Sequence, residues 1–120
     1  MDVLYVSHPY GGKQENEAKA DAIVRALQIS HPDVCFVSPV HAIRAPYSRT
    51  DYVQGLEYCL ALLARCNGIV MCGNWQESRG CVAEYFAAKM KYLPVYTGEE
   101  MLNGEGFDEE LAYARGEEFA

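Results

Sequence analysis

The chain has 120 residues, half of them hydrophobic, and carries a formal net charge of −7 at pH 7. This length predicts one domain over residues 1–120 with a hydrophobic core, and the apolar content excludes an intrinsically disordered chain. Because the net charge is negative, long-range attraction to nucleic acid or to an anionic membrane is disfavoured, and neither is expected as a partner.

The first half of the chain alternates short apolar runs with one long helical pattern. Residues 3–7 (VLYVS) predict a first strand, which a glycine-containing turn follows. Apolar side chains recur at three and four residues over 14–29, with acidic residues at the start, and this spacing predicts a helix. A second strand is expected at residues 34–38 (VCFVS), followed by a loop over 42–50.

The second half repeats the alternation. Helical spacing predicts a helix over residues 51–65, a short apolar run predicts a third strand at 69–72, and a further helix follows at 79–90. A fourth strand is expected at 93–96. The acidic tail beyond it carries a short helical pattern at 107–114.

Strands separated by helices of this length predict right-handed β-α-β units and a parallel sheet. The strands are near-continuous apolar runs, as expected when helices cover both faces of the sheet. The expected fold is therefore α/β, a small doubly wound sandwich of Rossmann-like type with four or five strands. In such folds ligands bind beyond the carboxyl ends of the strands, near the point where the strand order reverses.

A glycine pair, Gly11 and Gly12, follows the first strand. A phosphate loop of the G-x-x-x-x-G-K-[ST] type needs a hydroxyl after its lysine, but Gln14 stands there, so this loop is excluded. The G-x-G-x-x-G pattern is also absent, which argues against a dinucleotide-dependent oxidoreductase. Two readings of the pair remain: a tight turn into the first helix, or a backbone surface that a ligand can approach closely.

The segment 68–89, GIVMCGNWQESRGCVAEYFAAK, joins a strand to a helix. We expect Ser78 to cap this helix, and the free N–H groups and the cap hydroxyl can bind a phosphate. Glu84 has small and aromatic neighbours, which predict a helix buried on most sides and a carboxylate able to act as nucleophile or general acid. The alternative is an exposed helical acid. Trp75 either packs against the protein or stacks on a base.

The five cysteines and three histidines show no ligand spacing. No two cysteines form a C-x-x-C pattern, so we expect reduced core cysteines and neither a metal site nor an organic cofactor. No apolar run approaches the roughly 20 residues of a membrane span, and the first residues lack a signal-peptide pattern. A cytoplasmic protein is therefore expected.

Together these motifs resemble the nucleoside 2-deoxyribosyltransferase superfamily. The resemblance covers about residues 3–96 and rests on Tyr5-x-Ser7 with its glycine turn and on G-x-W-x-x-S-x-G-x-x-x-E, which ends at Glu84. It is closest to a domain of unknown function, DUF4406, and extends to the deoxynucleoside 5′-monophosphate N-glycosidases. The resemblance implies a flavodoxin-like sheet and a homodimer or higher homo-oligomer.

The resemblance also implies roles for individual residues. Glu84 would attack C1′ of a deoxyribose and expel the base, and the sugar would then pass to another base or to water. Ser78 would bind a 5′-phosphate, and Tyr5 would lie near the reacting atoms as a catalytic positioning group. The remaining substrate-binding residues that it implies are Ser7, Pro9, Gly11, Gly12, Gly73, Trp75 and Gly80.

One position departs from this family's pattern. Relatives carry an aspartate in the second helix that positions the sugar and protonates the leaving base, and the matching position here is about Cys59. The nearest acids are Asp51 and Glu57. Two alternatives to an enzyme therefore stay open: a non-catalytic nucleotide-binding module, and an interaction protein with Trp75 and Tyr85 at its interface.

Overall fold

The computed structural model describes residues 1–45 and 49–102, so the helix predicted at 107–114 lies outside the described residues. Within them the strands are β1 Asp2–Ser7, β2 Val34–Val37, β3 Gly68–Met71 and β4 Val95–Thr97. The helices are α1 Gln14–Ser30, α2 Pro39–Ala42, α3 Tyr52–Leu63, α4 Arg79–Met90 and α5 Gly98–Met101, with a 3-10 turn at Trp75–Glu77.

The four strands form one parallel sheet in the order β2-β1-β3-β4. The central strand β1 pairs with both neighbours, so that Tyr5 lies opposite Val37 on one side and Ile69 on the other. The strand order reverses between β1 and β3, as in the flavodoxin-like class of doubly wound sheets. The predicted α/β fold and its parallel sheet are thus confirmed.

Alternating side chains of β1 point to two separate core layers, because successive residues of a strand face opposite sides of the sheet. Leu4 and Val6 pack into one cluster with Ile23 and Leu27 of α1. Tyr5 lies in the other cluster, which α3 and α4 cover. Helices therefore lie on both faces of the sheet, and the side chains at odd-numbered positions of β1 face α4.

Side-chain caps explain where two of the helices begin. The carboxylate of Asp51 accepts a hydrogen bond of 2.8 Å from the backbone N–H of Gln54 at the start of α3. The hydroxyl of Ser78 accepts one of 3.3 Å from the N–H of Cys81 at the start of α4, so the predicted cap is present. Each cap satisfies a helix N–H that has no partner within its own helix.

Three short elements were not predicted, namely α2, the 3-10 turn and α5 Gly98–Met101, and one burial pattern was wrong. Pro39 does not simply end β2: it begins the single turn of α2, where its fixed φ suits a first helical position. The loop before α4 contains the 3-10 turn at Trp75–Glu77. The helix expected to be buried on most sides is fully buried only at Cys81, Glu84 and Ala88, and its Phe86 is 58 % exposed.

In the described part of the chain, none of the helices is both long and apolar enough to cross a membrane.

Candidate functional site

A cavity of about 510 Å³ opens at the carboxyl edge of the sheet. Its walls come from the loop after β1, from α2 and the segment behind it, from the first two turns of α3 and from the start of α4. The carboxylate of Glu84 belongs to this lining. The cavity thus lies where ligands bind in doubly wound folds, beyond the strand ends and next to the reversal of strand order.

Two hydroxyl groups of β1 hold the carboxylate of Glu84. Tyr5 donates a hydrogen bond to Oε2, and Ser7 donates one of 2.8 Å to Oε1. Tyr5 and Ser7 are two residues apart in a strand, so both point toward α4. Glu84 is only 6 % exposed, and both of its oxygens have a partner, so the carboxylate is fixed in orientation at the cavity wall.

Burial raises the pKa of Glu84 above its ordinary value, because a charged carboxylate loses its hydration there. The hydrogen bonds from Tyr5 and Ser7 oppose this shift, since both favour the charged form. A carboxylate that is poorly hydrated but oriented is suited to attack an electrophilic carbon, provided that it is ionised.

A thiol lies next to this group. The side chain of Cys59 in α3 packs in the same core cluster as Tyr5 and interacts with its hydroxyl. Burial, followed by the nearby Glu84, raises the pKa of Cys59 to about 11. The same two causes raise the pKa of Tyr5 well above its ordinary value. Both groups therefore stay neutral at physiological pH and are weak acids.

A second buried thiol lies next to Ser7. The thiol of Cys81 in the first turn of α4 interacts with the side chains of Ser7 and Ser78, and burial raises its pKa. It contributes to the cavity lining beside Glu84. The cavity lining around Glu84 therefore includes the two cysteines Cys59 and Cys81, while the hydroxyls of Tyr5 and Ser7 lie behind the carboxylate.

The mouth of the cavity carries the start of α4. Ser78, Arg79 and Gly80 all line it. The guanidinium of Arg79 lies over the ring of Tyr52, with its central carbon 5.1 Å from the ring centroid, in a cation–π contact. Sequence reasoning missed both of these residues. A cation directly after a helix-capping serine was the available signal for Arg79, whereas the position of Tyr52 depends on how α3 packs beside α4.

The structure brings some of the sequence-predicted residues together and leaves others apart. Gly11, Ser78, Gly80 and Glu84 line the cavity. Tyr5 and Ser7 lie behind Glu84 and contact its carboxylate. The described lining does not include four others, namely Pro9, Gly12, Gly73 and Trp75.

Trp75 and Gly73 have evident structural roles. The ring of Trp75 stacks on the ring of Tyr85, with centroids 5.0 Å apart, and packs against the core on the α4 side of the sheet. Gly73 has a φ of +65°, and a side chain there would bring its Cβ within 3.3 Å of Nε2 of His8. Only glycine adopts this turn without strain, so Gly73 shapes the loop around His8.

The nearest acids to the Cys59 position differ in their placement. Asp51 lines the cavity, but its carboxylate is exposed and caps α3. Glu57 is exposed on α3 and does not belong to the described lining. Glu77 lines the mouth, and its Oε2 accepts a hydrogen bond of 2.8 Å from the side-chain amide of Asn74.

Within residues 1–45 and 49–102, no three or more His, Cys, Asp or Glu side chains cluster in a way that could hold a metal ion.

Comparison with known proteins gave one result. A family model described as "Domain of unknown function (DUF4406)" matches residues 2–97, which is most of the chain and includes every residue of the site. No match was found among the curated proteins or among the solved structures.

Proposed function

The chain belongs to the DUF4406 family, and on that premise we propose that it is an N-glycosidase or deoxyribosyltransferase acting on a deoxynucleoside or its 5′-monophosphate. A relationship to the nucleoside 2-deoxyribosyltransferases is part of this proposal. The observation that carries it is the carboxylate of Glu84, which is buried, oriented by Tyr5 and Ser7, and in contact with a cavity.

In the proposed reaction Glu84 is the nucleophile. One of its carboxylate oxygens forms a bond to C1′ while the bond from C1′ to the base nitrogen breaks, which leaves a covalent glycosyl-enzyme. Water or a second base then attacks C1′ and releases the carboxylate. This two-step course is the logic of retaining glycosidases. Tyr5 positions the nucleophile and lowers the cost of its negative charge by donating a hydrogen bond.

The start of α4 supports a phosphorylated substrate. Ser78, Arg79 and Gly80 at its N-terminus line the same cavity as Glu84. A helix N-terminus and an arginine both favour an anion. The cavity volume of about 510 Å³ also lies in the range of small-molecule sites. We therefore assign the 5′-phosphate to Ser78 and Arg79.

The test is release of free base from a panel of deoxynucleotides and deoxynucleosides, followed by chromatography. We expect Glu84→Ala to abolish release, by about 10⁴-fold or more, since the nucleophile is removed. Glu57→Ala is the matched control, because it deletes an exposed acid outside the described lining. Acid-quenched protein should carry the mass of the sugar on Glu84. Unchanged release by Glu84→Ala contradicts the proposal.

A second candidate is a nucleotide-binding module without catalysis. The observation that favours it is Cys59, whose thiol lies next to the hydroxyl of Tyr5. Members of the superfamily that the sequence resembles carry an acid at this position. This candidate predicts that nucleotides raise the unfolding temperature while no base is released. Base release that depends on Glu84 excludes it.

We also propose that the chain forms a homo-oligomer through α3 and α4. Several large apolar side chains on these helices are exposed, and they are Tyr52, Val53, Tyr58, Phe86 and Met90. Tyr52 and Tyr58 also line the cavity, so a second copy that covers this surface would border the site. Apolar surface of this kind next to a cavity is typical of association sites.

A further inference from the structure

We propose that the preferred substrates are N-glycosides whose leaving base carries a positive charge, such as a pyridinium or an alkylated purinium ring joined to C1′. The proposal rests on the proposed function, since it names the substrate class of the same site. It follows from two features of the described cavity: the groups around Glu84 supply no strong acid, and the lining is rich in carboxylates.

The contacts of Glu84 are all weak proton donors. Its two oxygens accept from the hydroxyls of Tyr5 and Ser7, and the thiols of Cys59 and Cys81 lie next to these hydroxyls. Burial raises the pKa of Tyr5, Cys59 and Cys81, which makes each of them a weaker acid still. A neutral base leaves C1′ with an electron pair on nitrogen and needs a proton from such a donor.

Two acids and one histidine of the lining have hydrogen-bond partners of their own. Asp51 accepts from the start of α3, and Glu77 accepts from Asn74. His8 is buried, with Nδ1 2.7 Å from the carbonyl oxygen of Pro9 and Nε2 beside the backbone of Gly73. Both of these neighbours belong to the loops after β1 and β3.

A cationic base removes the need for an acid. When its bond to C1′ breaks, the electron pair moves onto the ring nitrogen and neutralises the positive charge, so no proton has to be delivered. A carboxylate oxygen of Glu84 bonds to C1′ in the same step. Water then adds its oxygen to C1′, the bond to Glu84 breaks with its electrons returning to the carboxylate, and one proton passes to solvent.

The charge of the cavity agrees with this substrate class. Three carboxylates, those of Asp51, Glu77 and Glu84, line it against one guanidinium, that of Arg79. Like charges in a partly enclosed site raise the cost of a negative ligand, and opposite charges lower it. A nucleotide with a cationic ring places its phosphate at Arg79 and its positive charge among the carboxylates.

The experiment compares matched substrates that differ in the charge of the base. One pair is 7-methyl-2′-deoxyguanosine 5′-monophosphate and 2′-deoxyguanosine 5′-monophosphate. The other is nicotinamide mononucleotide and its reduced, uncharged form, so that the two pairs distinguish a purinium from a pyridinium preference. Each kcat/KM is divided by the rate of the uncatalysed reaction, because charged bases leave faster in water as well. We expect this ratio to favour the cationic member of at least one pair by about 10²–10⁴-fold, the usual contribution of a general acid.

The pH profile gives an independent readout. With the cationic substrates the rate should rise as Glu84 ionises and then stay level, since no acid is required. A bell-shaped profile on the uncharged substrates, with equal or better rate enhancement, overturns the inference and leaves the proposed function standing. If that descending limb disappears in His8→Gln, His8 is the acid. Turnover of none of the four substrates, with no base released from any nucleotide, overturns both.

A substitution of Cys59, the position that departs from the pattern of the resembling superfamily, completes the test. Cys59→Asp places a carboxyl group beside Tyr5 and should improve cleavage of the uncharged nucleotides relative to Cys59→Ser, the isosteric control. Equal selectivity of the two variants argues against the absence of an acid as the cause. If Cys59→Asp does not fold, the comparison of cationic and uncharged substrates on the parent protein still decides the inference.

Discussion

The hydroxyl of Tyr5 donates a hydrogen bond to Oε2 of Glu84, across 79 residues of sequence. The donor sits in the central strand of the sheet and is fully buried, while the acceptor sits in the second turn of α4. The bond therefore joins the middle of the core to the wall of the cavity. It also keeps the carboxylate oriented and reduces the cost of its charge.

Tyr5→Phe should lower kcat/KM and move the acidic limb of its pH profile to higher pH. The phenol hydrogen bond lowers the pKa of Glu84, so its loss raises that pKa further. Glu84 then ionises, and becomes a nucleophile, only at higher pH. The measurement is kcat/KM against pH for the variant and the parent. Ser7→Ala should shift the limb in the same direction, and an unmoved limb in both variants contradicts the role given to these hydroxyls.

Glu84→Gln should stabilise the protein at pH 8 relative to the parent while abolishing base release. Burial raises the pKa of Glu84 in the folded state above its unfolded value. The stability that this carboxyl contributes is present below the unfolded pKa and is lost as pH rises through the folded pKa. Glutamine carries no charge at any pH, so its advantage should appear at pH 8 and shrink toward pH 4.

Urea unfolding at pH 4 and pH 8 measures this difference for the parent and the variant. Glu57→Gln is the control, since that carboxylate is exposed on α3. A stability gap between Glu84→Gln and the parent that is the same at both pH values would show that charge burial is not its cause.

The sequence was sufficient for the elements whose signals are local. α4 spans the predicted 79–90, because a serine cap precedes it and helical spacing runs through it. The strands were found as apolar runs, since strands covered on both faces need no polar positions. α2 was missed because a single helical turn has too few residues to show a period.

The site itself was only partly accessible to sequence reasoning. Glu84 and Ser78 belong to one helix start, so their spacing predicted that they share a cavity. The hydrogen bonds from Tyr5 and Ser7 depend on how α4 packs on β1, and only the family resemblance pointed to those residues. The sequence left two readings of Trp75 open, packing against the protein or stacking on a base. Its stacking on Tyr85 depends on the tertiary packing, which the sequence does not show.

Arg79→Gln should raise KM for a deoxynucleoside 5′-monophosphate by about 10- to 150-fold and leave KM for the matching nucleoside nearly unchanged. A charged hydrogen bond to phosphate contributes roughly 1.5–3 kcal/mol, and the nucleoside has no group to receive it. Steady-state kinetics on the two substrates provide the measurement. Arg65→Gln is the control, because Arg65 is exposed after α3 and outside the described lining. Equal changes for nucleotide and nucleoside contradict the assignment of phosphate to Arg79.

Phe86→Glu should dissociate the proposed oligomer without unfolding the chain. Phe86 is 58 % exposed on α4, so a charged side chain there meets water in the monomer but is buried unpaired between two copies. Sedimentation velocity at several concentrations measures the mass of the parent and the variant. Ile29→Glu is the matched control, since Ile29 is similarly exposed, at 56 %, but lies on α1 across the sheet.

If the oligomer borders the cavity through Tyr52 and Tyr58, then Phe86→Glu should also raise KM, and Ile29→Glu should not. A parent chain that sediments as a monomer at all concentrations contradicts the association, and equal dissociation by both variants contradicts its placement on α3 and α4.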